Sequence, residues 1–279
     1  SWFDAVNHAF TTMATGGFSV RNTSISSYQS DAITWVIVVF TFLAGINFSL
    51  LYAVVRGRIK DALHSEELRW YLLILAITIS LICVDLHVEL GQGWYESAKD
   101  AAFQATTIMS TTGYATKDFT LWPTFSRCIL VLLMYVGGCA GSTAGGMKIS
   151  RLMLQVKSLR RELDHIIHPN RVSVITMDGQ SVDERAVTSA HMFQVAYLLI
   201  LMAGTLVVSL DVLGFTESFV AALTCISNVG PSLGALGPMA NFAPLSWFSK
   251  LVLTLIMLMG RLELMPLLVL LSPSTWRNK

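Results

Sequence analysis

Three times along this 279-residue chain an uncharged, helix-like stretch runs into a polar turn built on one glycine, and a long apolar segment follows each copy. The turns read Thr12-Met13-Ala14-Thr15-Gly16-Gly17-Phe18, then Ser110-Thr111-Thr112-Gly113-Tyr114, then Ser227-Asn228-Val229-Gly230-Pro231. Aligned on Gly17, Gly113 and Gly230, the copies share a threonine six positions upstream (Thr11, Thr107, Thr224) and an acidic residue thirteen positions upstream (Asp4, Asp100, Glu217). A helix, a Thr/Asn-x-Gly turn and an apolar segment form the layout of a re-entrant pore loop, whose backbone carbonyls face a dehydrated cation.

With 53% hydrophobic and 13% charged residues, the chain is far more apolar than a soluble domain requires. A net charge of +1 gives a nucleic-acid partner no electrostatic support. Five stretches approach the ~20 apolar residues that a bilayer span needs: 32–55, 70–84 with an extension through Asp85, His87 and Glu89, 128–147, 192–210 and 251–271. Arg56, Arg58, Lys60 and Arg69 fall in 56–70. Seven further cations from Lys148 to Arg185 fall in 148–191, and Arg277 and Lys279 close the chain. If each apolar stretch crosses once, these basic residues share one side, which the positive-inside rule makes cytoplasmic, and the three glycine turns face outward. Within 148–191, Asp178-Gly179 between two short apolar runs, 172–176 and 180–182, predicts a β-hairpin with free edges for another subunit.

The turns suit a cation filter physically. Glycine adopts backbone angles that set successive carbonyls on one side, a short helix aims its partially negative end at the ion, and Thr, Ser or Asn can satisfy backbone groups that lipid cannot. The three turns, with Asn228-Val229-Gly230-Pro231-Ser232-Leu233-Gly234 and Gly260-Arg261-Leu262-Glu263, resemble the Trk/Ktr/HKT superfamily of potassium transporters, closest to the bacterial Trk-type pore subunit. The resemblance implies an all-α polytopic membrane protein of repeated span–pore helix–filter–span units around a central pore. It implies four units, of which this chain would hold the second (1–55, first span missing), third (70–147) and fourth (192–272). Loops 56–69 and 148–191 and a tail 273–279 would be cytoplasmic. The chain opens inside a unit, without an initiator Met, so it reads as the later part of a longer protein that alone would not close a pore. The resemblance further implies a filter lined by the carbonyls of Thr15, Gly16, Gly17, Thr111, Thr112, Gly113, Asn228, Val229 and Gly230. It implies potassium as the transported ion with no further cofactor, the bacterial inner membrane as the location, a homodimer in lipid, and a cytoplasmic nucleotide-binding regulatory ring. A sodium-permeable or ion-coupled transporter of the same superfamily is the alternative, since glycine or serine in the absent first filter separates subgroups.

Five glycines in ten residues, Gly137, Gly138, Gly141, Gly145 and Gly146, cannot sustain a comfortable helix, each costing about 1 kcal/mol against alanine. Irregular backbone at membrane depth must line a cavity or lie buried in protein, and the resemblance implies an intramembrane gating loop here. A phosphate-binding P-loop fails, because Met147 separates Gly146 from Lys148 and no Ser or Thr follows that lysine directly. Arg261, mid-span, costs several kcal/mol unless it is paired or wetted, and is functional by default. The resemblance puts it in the pore below the filter, and binding to carbonyls of the glycine loop is compatible with that. Glu263, two residues away, falls on another helix face. The acids Asp85, Glu89, Glu96, Asp100 and Glu217 are expected toward the outside, either concentrating cations at the pore mouth or forming a solvated rim. An intramembrane enzyme finds no support: Ser142 and Thr143 have no His or Asp nearby in the sequence.

Overall fold

The computed structural model describes residues 1–171, 173–211, 213–271 and 276, and the chain is mostly helical over them. Each unit contains a short helix that enters the protein and stops at its glycine turn: α1 (Trp2–Met13), then α6 (Trp94–Met109), then α10 (Phe215–Ser227). These are flanked by α2 (Asp31–Ala44), α3 (Phe48–Val55), α4 (Ile59–His64), α5 (Glu66–Leu90), α7 (Thr124–Val136), α8 (Ile149–Ile167), α9 (Glu184–Val208), α11 (Trp247–Arg261) and α12 (Leu264–Leu271).

Among the described residues, two helices, α5 and α9, are long and apolar enough to cross a bilayer without interruption. At 25 residues each, a rise of 1.5 Å per residue gives about 37 Å. The other three apolar stretches are broken. Residues 32–55, expected as one span, form α2 and α3 bent by 105°. The bend lies at 45–47, where Asn47 caps α3 by accepting from Ser49 N at 2.8 Å. Residues 128–147 end as helix at Val136 and continue as the glycine loop. Residues 251–271 break at Leu262 and Glu263, the latter at φ 63°, between α11 and α12. The helix following each glycine turn therefore stops partway, and all three breaks leave backbone groups that must find partners inside the protein.

The stretch 148–191, read from sequence as a loop, contains α8 and the predicted hairpin. β1 (Thr176–Met177) pairs with β2 (Gln180–Ser181) across Asp178 and Gly179, at φ 50° and 78°, the left-handed pair that a tight two-residue turn requires. Val172, at the start of the predicted first run, and the tail beyond 271, apart from Trp276, lie outside the described residues.

The middle unit is the most enclosed. Every residue of 100–112 is buried, because α6 packs against α5, α2 and α7. The main core joins Tyr71 and Leu75 of α5, Ile108 of α6, Leu130 and Met134 of α7, Tyr197 of α9, and Leu223 and Ile226 of α10. By contrast, α1 leaves Trp2, Phe3 and Phe10 exposed, and an apolar cleft of about 540 Å³ opens between α1 and α2. Leu130 is fully buried whereas Leu132 is 64% exposed on the outer side of α7. We expect Leu130→Ala to destabilise the protein by about 2–5 kcal/mol and Leu132→Ala to change little. The thermal unfolding midpoint in detergent checks both.

Candidate functional site

The three short helices end with the same pair of backbone bonds. In each, a residue in the left-handed conformation follows the helix: Thr15 at φ 49°, Thr111 at φ 56° and Asn228 at φ 58°. Its amide bonds three residues back, to Thr12 O, Ile108 O and Cys225 O. The next amide bonds five back, from Gly16 to Thr11 O, from Thr112 to Thr107 O and from Val229 to Thr224 O. This pair of bonds is the Schellman ending of a helix. The shared upstream threonine then reaches over the turn: Thr11 Oγ1 donates to Phe18 O (3.0 Å), Thr107 Oγ1 donates to Tyr114 O (3.1 Å), and Thr224 Oγ1 accepts from Gly230 N (2.9 Å).

The turns converge. Gly17, Gly113 and Gly230 line one cavity of about 290 Å³ together with Thr112, Val229 and Pro231. A side chain on Gly17 would set its Cβ 1.8 Å from the Thr112 carbonyl oxygen, and one on Gly113 would set it 2.0 Å from that of Val229. Each of these glycines is thus packed against the chain of the next unit at backbone contact, at a φ of 64° or 81° that glycine adopts freely. Among the described residues, nothing lies within 4 Å of the corresponding point on Gly230. Tyr114, fully buried, adds a lock between units through its hydroxyl and Thr11 of α1.

The glycine loop 137–148 lies beneath all three helix ends. Thr143 Oγ1 donates to Met13 O at the end of α1 (3.2 Å) and to Ala44 O at the end of α2 (3.3 Å). A Cβ on Gly145 would come within 2.3 Å of Ser227 O at the end of α10. The bend at 45–47 holds the loop's other side, with Cys139 N donating to Gly45 O and Phe48 N donating to Gly141 O. Of the loop glycines, Gly137, Gly141 and Gly146 have φ near +70°, and Gly138 and Gly145 sit against Ala144 and Ser227.

Sequence reasoning gave Thr, Ser and Asn at the turns the task of satisfying freed backbone groups, without naming the partners that the left-handed residues reach. A β-branched residue at positive φ carries a penalty of roughly 1–2 kcal/mol, and in Thr15 and Thr111 the hydroxyl explains its presence. Thr15 Oγ1 donates to Thr143 O at 2.9 Å, and Thr111 Oγ1 accepts from Gly145 N at 2.7 Å. Asn228, with its amide oriented to satisfy both atoms, donates to Met257 O and accepts from Arg261 N, each at 3.1 Å. The signal in the sequence was the recurrence of Thr, Thr and Asn at a position where a helix ordinarily ends in glycine.

Arg261 donates through Nη1 to Thr143 O at 2.8 Å, the same carbonyl that Thr15 binds. Sequence reasoning weighed burial against loop carbonyls; the carbonyl contact is present, but Arg261 is exposed. Glu263 turns away from Arg261 and pairs with Lys148 (3.1 Å) and Arg151 (2.7 Å) at the start of α8. Of the acids expected toward the outside, Asp85, Asp100 and Glu217 hold structure together, and Asp4 does the same. Asp4 pairs with Arg21 (3.1 Å), and hydrogen bonds from Ser1, Tyr28 and Arg21 hold its carboxyl at about 2. Asp100 pairs with Lys117 (2.6 Å), Glu217 accepts from Ala235 N (2.9 Å), and Asp85 accepts from Ser126 N in the first turn of α7. The repeated acid thus ties each short helix to the segment that leaves its turn.

A family model described as TrkH, cation transport protein, matches residues 1–278. The chain belongs to this family of membrane cation transporters. The Trk system potassium uptake protein TrkH of Salmonella typhimurium is 32% identical over 281 residues, 99% of this chain and 57% of that protein. The Trk system potassium uptake protein TrkI of Halomonas elongata is 35% identical over 277 residues, 99% of this chain and 56% of that protein. The crystal structure of the potassium transporter TrkH from Vibrio parahaemolyticus superposes with a TM-score of 0.92 at 33% identity, over 99% of this chain and 60% of that one. The chain spans just over half the length of these relatives.

Replacing Thr111 by valine keeps the shape and removes the acceptor for Gly145 N, leaving a buried amide unpaired at a cost of about 1–3 kcal/mol. We expect Thr111→Val to speed amide hydrogen exchange across 137–146 while leaving α6 protected. Unchanged exchange at Gly145 would show that the hydroxyl does not hold the loop.

Proposed function

We propose that this chain carries the greater part of the pore of a potassium uptake system. The observation that carries the reading is that three glycine turns about a hundred residues apart in sequence line one cavity with an irregular loop directly beneath them. The carbonyls of Thr15, Gly16 and Gly17, of Thr111, Thr112 and Gly113, and of Asn228, Val229 and Gly230 form the filter and replace the hydration shell of a potassium ion. The ends of α1, α6 and α10 point their partial negative charge at the same place. Gly17 faces Thr112 and Gly113 faces Val229, and in a ring of four the turn of the first unit would stand beside Gly230.

The loop with Gly137, Gly138, Gly141, Gly145 and Gly146 is the gate. It blocks the exit below the filter, and the guanidinium of Arg261 adds a positive charge that opposes a cation there. Opening needs the loop to leave Thr15, Thr111 and Arg261, a small set of hydrogen bonds that an input of a few kcal/mol can shift. The basic segments 56–69 and 148–191 and the C-terminal tail face the cytoplasm of a bacterial inner membrane. There α8 and the hairpin offer surface to a nucleotide-binding regulatory ring, and the complete protein works as a homodimer. The potassium uptake named for the relatives supports this reading over a sodium-permeable pore.

In the full-length protein, we expect the parent to restore growth at low potassium in cells stripped of their own transporters. Gly113→Ser, whose new Cβ meets the Val229 carbonyl, should lose the preference for potassium over sodium. Unchanged selectivity in the variant would reduce the turns to packing kinks.

A further inference from the structure

Glu67 lies at the second residue of α5 and is 7% exposed. A carboxylate buried at the end of a span must bind donors within the protein, and these donors identify its task. Its Oε1 accepts from Ala140 N, in the middle of the glycine loop, at 2.7 Å. One side chain therefore grips the loop at its centre.

The residue before it grips something else. The amide of Glu66 donates at 2.6 Å to Oδ1 of Asp178, the first residue of the hairpin turn. The carboxylate of Glu66 pairs with Lys157 of α8, and Lys157 also donates to Thr176 O in β1 at 2.6 Å. Two consecutive residues at the start of one rigid helix thus hold the hairpin on one side and the glycine loop on the other. Helices transmit displacement because their backbone bonds resist stretching, so movement of the hairpin reaches the loop through two residues.

We propose that Glu67 is a positioning residue that latches the glycine loop shut, and that the β1–β2 hairpin, through Asp178 and Glu66, is the handle that releases it. A protein partner that pairs with the β2 edge of the hairpin and draws it away from α5 shifts the start of α5, removes the acceptor from Ala140 N and frees the loop. The latch rests on the reading of 137–146 as the gate. It extends that reading by placing the input at a site outside the pore.

The test uses the full-length protein in proteoliposomes without any partner, with tracer rubidium flux and the potassium-to-sodium flux ratio as readouts. Glu67→Gln keeps the size of the side chain and replaces the charge-assisted hydrogen bond to Ala140 N with a neutral one about half as strong. We expect it to raise basal flux at least several-fold with the flux ratio unchanged, which a distorted filter would not give. Asp178→Ala should raise flux in the same direction. The double variant should add little to Glu67→Gln alone, since both act on one connection. Glu67→Asp, which keeps the charge and shortens the reach, should also raise flux and serves if the glutamine variant fails to reach the membrane. Arg261→Ala separates the two levels of the account. If it raises flux and neither Glu67 variant does, the latch is wrong and the gate stands. If none of them changes flux, gate and latch fall together. Effects of Glu67→Gln and Asp178→Ala that multiply would overturn the relay.

Discussion

The structure depends on one requirement: backbone amides and carbonyls at membrane depth must be satisfied without water. A chain that ends three helixes inside the membrane creates free carbonyls and amides at each end. It meets this need with a hydroxyl or amide side chain six positions before each glycine and another two positions before it. The Schellman ending uses the last helical carbonyls, the upstream threonine secures the departing strand, and the left-handed Thr or Asn binds across to the loop or to α11. Removing Thr107 or Thr111 leaves a buried polar group unpaired, so the middle turn tolerates little variation in residue type.

From this follows the relation between the turns and the glycine loop. The loop has no regular structure of its own, so its polar groups rely on neighbours, and these neighbours are the helix ends above it, the bend at 45–47 beside it and Glu67 below it. Glycine at Gly145 is imposed by the approach of Ser227 O, just as it is at Gly17 and Gly113 by carbonyls of the next unit. The ring of close backbone contacts fixes the cavity, while the loop is held by a handful of side-chain hydrogen bonds. Rigidity above and a releasable contact set below is the division of labour that conduction with gating requires.

Much of this was legible in the sequence, for physical reasons. The three turns could be aligned because their chemistry repeats, and the hairpin at Asp178-Gly179 could be predicted because that pair suits a left-handed turn. Family membership also followed from the motifs. The bend in 32–55 was not legible: the stretch is uniformly apolar, and only Gly45 and Asn47 interrupt it, too weakly to outweigh its hydropathy. The break at Glu263 was hidden similarly, since its partners Lys148 and Arg151 are distant in sequence. The amphipathic helix α8 was submerged in a basic segment read as a loop. Glu67 escaped notice because an acid at the start of an apolar span ordinarily marks a solvated helix end, and its burial arises from a loop more than seventy residues away. The outer acids were read for their charge, whereas Asp4, Asp100 and Glu217 serve as ties within each unit.

The central claim is that the three glycine turns bind one dehydrated cation on a common axis. The most direct measurement is a structure of the full-length protein with thallium or rubidium in place of potassium, located by anomalous scattering. The account predicts ion density between the carbonyls of Gly17, Gly113 and Gly230 and none in the space occupied by 137–146. Ions absent from the turns and bound elsewhere would contradict it.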